Sequence, residues 1–421
     1  MSPAPYRGIV ALLWLAAASA WAERPPGASV DELLAHARQH SPELAAMRLE
    51  SEAAGERAAA ADALPDPLLR TELRNFTNEG SGASPSLAPS RVGSTKYTLI
   101  QPLPWWGKRD LKRAAAESGA EEARQRTVAT WADLAARIKT GYARYYQAHQ
   151  QLQATRELRD LAGRLEAVAR VRYGNGLAPQ ADAIRAMAEG SAMDGELLAM
   201  ETEAHHGMLR INGLLGRPPA AALADPEQLR PLPPPERLDP AALEARLRQN
   251  NPQLFAEAAR IRAAEGNRDL AYRNRYPDLA LGVSPIQTGS RVGEWELMLE
   301  VTIPLQQASR RSQEREAERL VESARARREA AANQLLTELA ENLEALNLAR
   351  RQQALTERSL LPQAELNLQA AIAGYENGKV DFAALLDAQR QIRRTRLELI
   401  RNRAEQQARL ADIERLVGED L

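Results

Sequence analysis

Tyr173-Gly174-Asn175-Gly176 and Tyr375-Glu376-Asn377-Gly378 are the two stretches from which the fold is read. Gly378 follows Gly176 by 202 positions, and the same offset joins Leu214-Leu215-Gly216 to Leu416-Val417-Gly418. Upstream, Ser41-Pro42-Glu43-Leu44 pairs with Asn251-Pro252-Gln253-Leu254, Pro65-Asp66 with Pro277-Asp278, and Pro104 with Pro304. Between the last two pairs the offset drops from 212 to 200, as a shortened loop between strands would make it. An ordered series of matches marks an internal duplication. Two structural repeats are therefore expected, residues 23–216 and 241–421, joined by a Pro-rich linker over residues 217–240. Pro231-Leu232-Pro233-Pro234-Pro235 keeps that linker from being helical throughout and makes it an extended strap.

Both halves read in the same order. A first helix is expected over residues 30–63 and again over 240–272. A β-hairpin follows, at about residues 65–104 and 277–304. Trp295, Leu297, Leu299, Val301 and Ile303 alternate with Glu294, Glu296, Met298, Glu300 and Thr302, a period of two with one apolar and one polar face. Leu279, Leu281 and Val283 alternate in the same way, as do Leu69, Thr71 and Leu73, and Tyr97 and Leu99. Polar, flexible turns are expected over 77–93 and 287–293. Very long helices come next, over 108–173 and 306–361; the first would extend about 100 Å at 1.5 Å per residue. Leu336, Leu339, Leu343 and Leu346 step by three and four, as in a coiled coil.

Composition agrees with packed helices. Aromatic residues make up only 4% of the chain, and 55 basic residues nearly balance 56 acidic ones, so no nucleic-acid surface is indicated. With no cysteine, disulfides and thiolate metal sites are excluded. Arg7, an apolar run over 9–18 and Ala20-Trp21-Ala22 read as a signal peptide, residues 1–22, cleaved before Glu23. No later run is apolar enough to be a membrane helix, so any membrane span is made of strands. Four strands cannot close a water-filled barrel, whereas three copies of the chain could. The competing reading is a small soluble sheet capping a periplasmic coiled-coil scaffold or adaptor.

These features together resemble the TolC-like outer-membrane efflux protein family over nearly the whole chain. The resemblance rests on the duplication, the strand pairs ahead of the long helices and the two Tyr-x-Asn-Gly turns. Gln101-Pro102-Leu103-Pro104-Trp105-Trp106-Gly107-Lys108-Arg109 is most similar to the heavy-metal branch typified by CzcC and CusC. The resemblance implies a mainly α chain with membrane β: a homotrimer with a 12-stranded β-barrel in the outer-membrane lipid and a 12-helix tunnel in the periplasm. It implies partners too, a periplasmic adaptor (membrane fusion protein) and an inner-membrane RND pump. The expected function is a passive duct for heavy-metal cations; a duct for drugs or type I protein secretion is the alternative. Neither enzymatic activity nor a cofactor is expected.

The resemblance also nominates residues. Gly174, Asn175, Gly176, Leu177, Asn377, Gly378 and Lys379 are expected where an adaptor docks. Asp182, Tyr375 and Asp387 fall at gate positions, with an Asp182–Tyr375 hydrogen bond and a ring of three Asp387 side chains expected. The family's gate arginine falls at Val380 and its other ring aspartate at Ala384. Trp105, Trp106 and Trp295 are candidates for the membrane interface. Lys108 and Arg109 open a helix where cations are unfavourable, so a local partner is expected. His36 and His40 share a helix face, and Met187, Met193, Met200 and Met208 recur at near-heptad spacing; both patterns are read as packing rather than metal ligation.

Overall fold

Ser41 and Asn251 interrupt what the apolar pattern carries on as one helix. Each precedes a proline, and each is held at φ −67°, ψ 120°. A residue before proline is driven out of the helical region, and here its side chain then caps the helix that the proline begins. Ser41 Oγ accepts from Leu44 N–H, and Asn251 Oδ1 accepts from Gln253 and Leu254 N–H. The expected single helices are therefore two each: α1 (Val30–His40) and α2 (Pro42–Ala60), then α5 (Pro240–Asn250) and α6 (Pro252–Arg273).

The computed structural model describes residues 25–80 and 84–421; the expected signal peptide, residues 1–22, lies outside them. After α2 come β1 (Leu68–Arg74), β2 (Ser94–Leu103), α3 (Lys108–Gly174) and α4 (Gln180–Leu214). After α6 come β3 (Asp278–Thr288), β4 (Arg291–Thr302), α7 (Gln307–Leu355), α8 (Leu361–Glu376) and α9 (Phe382–Val417). The chain is mainly helical, with one small sheet.

The two hairpins merge into one antiparallel sheet ordered β1-β2-β3-β4, with β1 and β4 as its edges. Register aligns Leu69 with Leu99, Leu99 with Val283 and Val283 with Leu297, an apolar row across all four strands. The opposite face carries Lys96 paired with Glu296, and the hydroxyls of Thr98 and Ser284 2.9 Å apart. The second turn is tighter than expected. Gly289 at φ +62° lets the strands run to Thr288 and resume at Arg291, so the loop is Gly289-Ser290 rather than residues 287–293.

Below the sheet, α3 packs on α2 and α6 with its upper part and on α4 and α9 with its lower part. Leu339, Leu343 and Leu346 are buried together with Leu243, Leu247, Ile413 and Leu416, while Leu336 stays at the margin. The second long helix does not stop at residue 361. It passes through a π-helical turn, Thr356–Leu360, straight into α8. Pro362 explains the turn: its ring and missing N–H cannot serve an α-helical bond to residue 358, and one wider turn absorbs the mismatch.

The two halves of the chain close in parallel ways, at residues that match one another in the sequence. Gly216 at φ +70° ends α4 against Pro42, and Gly418 at φ +82° ends α9 against Asn250 and Pro252. The linker is bound along its length. Tyr142 Oη donates to Gln228 O at 3.1 Å, and Gln407 Nε2 donates to Arg230 O at 2.6 Å. Arg230 also joins Lys139 on Glu414, a carboxylate that is buried between α9, α3 and the linker.

Candidate functional site: the tips of the two helical hairpins

The long helices reverse at the two Tyr-x-Asn-Gly stretches, and they do so in the same way. Gly176 at φ +70° lets Leu177 N–H reach back to Arg172 O at 2.8 Å. Gly378 at φ +68° lets Lys379 N–H reach Gly374 O at 2.8 Å. These six-to-one bonds satisfy the last carbonyls of α3 and α8, and a left-handed residue is required to form them. Asp381 then caps α9 through Ala384 N–H at 2.9 Å. The reversal leaves Leu177 66% exposed, with Val171 and Tyr173 also open to solvent. Lys379 is exposed at the other tip.

Just above the turns, two of the expected gate residues, Asp182 and Tyr375, lie near one another. Asp182 on α4 is 7% exposed and Tyr375 on α8 is 3% exposed. The Tyr375 ring stands edge-on to Phe382, with centroids 5.2 Å apart. The expected Asp182–Tyr375 hydrogen bond is not formed with regular geometry; the buried Tyr375 Oη is unpaired, although the Asp182 carboxylate and the Arg172 guanidinium are its polar neighbours. Burial first, and the nearby Asp182 carboxylate second, push the phenol above its usual pKa. Asp387 is exposed on α9, in a depression shared with Arg185, Glu189 and Arg390. Its surroundings are thus of mixed sign rather than purely acidic.

Two arrangements were not foreseen from sequence. Arg172 lies across the tips: its Nη1 donates to Glu376 O at 2.6 Å and its Nη2 to Leu177 O at 3.3 Å. Higher up, buried Glu189 of α4 accepts from Arg390 at 2.6 Å and 3.1 Å and from Arg393 at 3.4 Å, both on α9. The signal for Arg172 was its partner in the duplication, Gly374, 202 positions on, where the repeat swaps a long cation for no side chain. Glu189 signals itself only as an acid flanked by Ala188 and Gly190.

At the sheet-to-helix junction Lys108 finds its partners. Its Nζ donates to Asp278 Oδ1 at 2.8 Å and to Tyr276 O at 3.0 Å, and Arg109 donates to Asp62 O at 2.6 Å. Trp105 is half-buried and stacked on Tyr276, so it packs a corner, whereas Trp106 is 71% exposed. Trp295 is equally exposed, on β4 toward the opposite end of the sheet. His36 and His40 stack on each other, and Met193 is buried in the core. Among the described residues no group of three or more His, Cys, Asp or Glu could hold a metal ion.

A family model described as outer membrane efflux protein matches residues 33–217 and 243–419, skipping the linker. The chain belongs to the outer membrane efflux protein family. Members of this family are passive channels, not enzymes. The efflux-protein fold is also that of several solved structures. A membrane protein from Pseudomonas aeruginosa is 22% identical, with a TM-score of 0.81 over 100% of this chain and 97% of that one. CusC is 19% identical, with a TM-score of 0.81 over 93% and 92% of the two chains. VceC from Vibrio cholerae is 19% identical, with a TM-score of 0.79 over 93% and 96%. At such identities the likeness is one of fold alone. No curated protein matches the chain in sequence.

Proposed function

We propose that three copies of this chain form an outer-membrane exit duct for heavy-metal cations, loaded by an inner-membrane RND pump through a periplasmic adaptor. The observation that carries the reading is the sheet. Its apolar face is bare, with Leu297 79% exposed, and the outer edges of β1 and β4 have no strand partner among the described residues. A bare apolar face suits lipid, and unpaired edges are untenable in hydrocarbon unless strands from other copies close the wall. No helix among the described residues is long and apolar enough to cross a membrane, which leaves the strands to do so. Between Trp295 and Val301 the apolar face runs roughly 20 Å at 3.4 Å per residue. Trp295 and Trp106 would then lie near its two boundaries, where aromatic belts sit.

On this reading, residues 23–216 and 241–421 are two repeats strapped together by 217–240, after a signal over 1–22 is removed on export. The adaptor docks on Leu177 and Lys379 at the tips, and the duct narrows beside Asp182, Tyr375 and Asp387. The metal cargo is supported by the stretch Gln101 to Arg109 and its resemblance to the heavy-metal branch. Cell fractionation tests the location: recovery only from the soluble periplasm overturns the duct. The cargo is tested by deleting the gene and profiling growth. Sensitivity to metal salts is expected; sensitivity to drugs alone would reassign the duct to them.

A further inference from the structure

We infer that Arg172 is a latch that fastens the second hairpin's tip to the first and holds the duct closed; the inference rests on the tips being the duct's closed end. The guanidinium stands at the end of α8, where the last helical carbonyls concentrate negative partial charge, and it donates to Glu376 O at 2.6 Å. Its carbon sits 5.0 Å from the centroid of the Tyr375 ring, a cation–π distance. The remaining arm donates to Leu177 O in its own tip. One side chain thus contacts the backbone of both reversals and the face of the buried ring between them.

The duplication explains why the latch is single. At the equivalent place in the second hairpin stands Gly374, and it cannot carry a side chain. A Cβ there would lie 2.5 Å from Cγ2 of Val380, which packs onto the glycine. Val380 is therefore engaged in closing its own turn, and the cation that meets the Tyr375 ring comes from the first hairpin. Arg172 Nε is buried without a hydrogen-bond partner, so the guanidinium is held with one of its donors unsatisfied. Such a contact is suited to release. The longer of its two hydrogen bonds, 3.3 Å, is to Leu177, whose exposed side chain is the natural handle for a docking partner. A partner that draws Leu177 outward pulls the arginine away from Glu376 and Tyr375 together.

The chain has no native cysteine, so a label pair can be placed cleanly. Spin labels at Leu177→Cys and Lys379→Cys, with labelled chain diluted into unlabelled chain, report the separation of the tips. Single-channel conductance in planar bilayers reports the gate. A narrow distance distribution is expected in the parent. Arg172→Ala should broaden it and raise conductance several-fold. Arg172→Lys, which keeps the charge but not the fork that spans two carbonyls, should fall between. Arg170→Ala, which removes an exposed pair with Glu166 one half-turn away, should change neither. An unchanged distribution in Arg172→Ala overturns the latch. A broadened distribution at unchanged conductance overturns its gating role. If neither the parent nor any variant conducts, the duct reading itself fails, and the distances still decide whether Arg172 ties the tips.

Discussion

Lys108 Nζ and Asp278 Oδ1 lie 2.8 Å apart, and they join the first residue of α3 to the first residue of β3 across the two halves of the chain. The ammonium is only 6% exposed and also satisfies Tyr276 O, while Trp105 N–H donates to the same carboxylate oxygen. A cation at a helix start, unfavourable alone, is held there by the strand of the other repeat. The junction between sheet and helices is therefore a contact between the two halves of the chain.

Replacing Lys108 by Met should weaken that junction. A hydrogen bond to a charged group contributes about 1.5–3 kcal/mol; because Asp278 is nearly half exposed, the low end of that range is expected. Denaturant unfolding in detergent should show a lower midpoint. An unchanged midpoint would show that the pair contributes nothing net.

Glu414 supports more. Its carboxylate is 3% exposed and binds Lys139 at 2.7 Å and Arg230 at 2.9 Å, so Glu414→Ala leaves the buried ammonium with Asp420 as its remaining carboxylate partner. Leaving a buried charge wholly unpaired costs about 3–5 kcal/mol, and because Asp420 still holds the ammonium a smaller loss is expected. Limited proteolysis should then cut within residues 217–240 well before the helices. Equal protection in variant and parent would rule this role out.

The helix-ending glycines should tolerate no side chain. A Cβ at Gly418 would meet Asn250 O at 2.8 Å, on a backbone at φ +82°. Left-handed backbone alone costs an L-residue about 1–2 kcal/mol, and the collision adds to it. Gly418→Ala should lower the yield of folded protein. Gly55→Ala, inside α2 with nothing within 4 Å, should instead stabilise by about 0.5–1 kcal/mol.

Tyr375 separates ring from hydroxyl. Its Oη is buried and unpartnered, while its ring packs on Phe382 and under Arg172. Tyr375→Phe should leave single-channel conductance close to the parent's, and Tyr375→Ala should raise it. A large change in the Phe variant would mean that the hydroxyl bonds Asp182 in the assembled duct. Because the phenol is pushed above its ordinary value, the proton it keeps stabilises the fold fully below pH 10, and that contribution is lost only as pH rises through the higher folded value.

His149 gives the linker an acid limit. Burial, opposed by Asp225 and aided by Arg156, lowers its pKa below the ordinary 6.5. A histidine depressed in the folded state stabilises fully above its unfolded value, and the contribution is lost as pH falls through the folded one. The Asp225 carboxylate sits 3.7 Å from its Nδ1, and Tyr145 packs edge-on to the ring. Amide protection of residues 217–240, taken relative to intrinsic exchange, should fall in the parent as pH drops below the ordinary histidine value of 6.5. In His149→Gln it should not respond to that pH step.

The alternating strands, the long helices and the two helix-reversing turns were legible in the sequence because each is local or periodic. Period two and period 3.6 show in any window, and Tyr-x-Asn-Gly carries its left-handed residue with it. Even the break at Ser41-Pro42 was written there, but the apolar pattern ran on through it and hid it. Only the tertiary structure decided what has no period. Val283 beside Leu99, Lys108 on Asp278 and Glu189 under Arg390 and Arg393 join residues that lie 170 or more positions apart. It also decided that the cation over the Tyr375 ring is Arg172 of the first hairpin, because Val380 fills the space over Gly374, the position that matches it in the second.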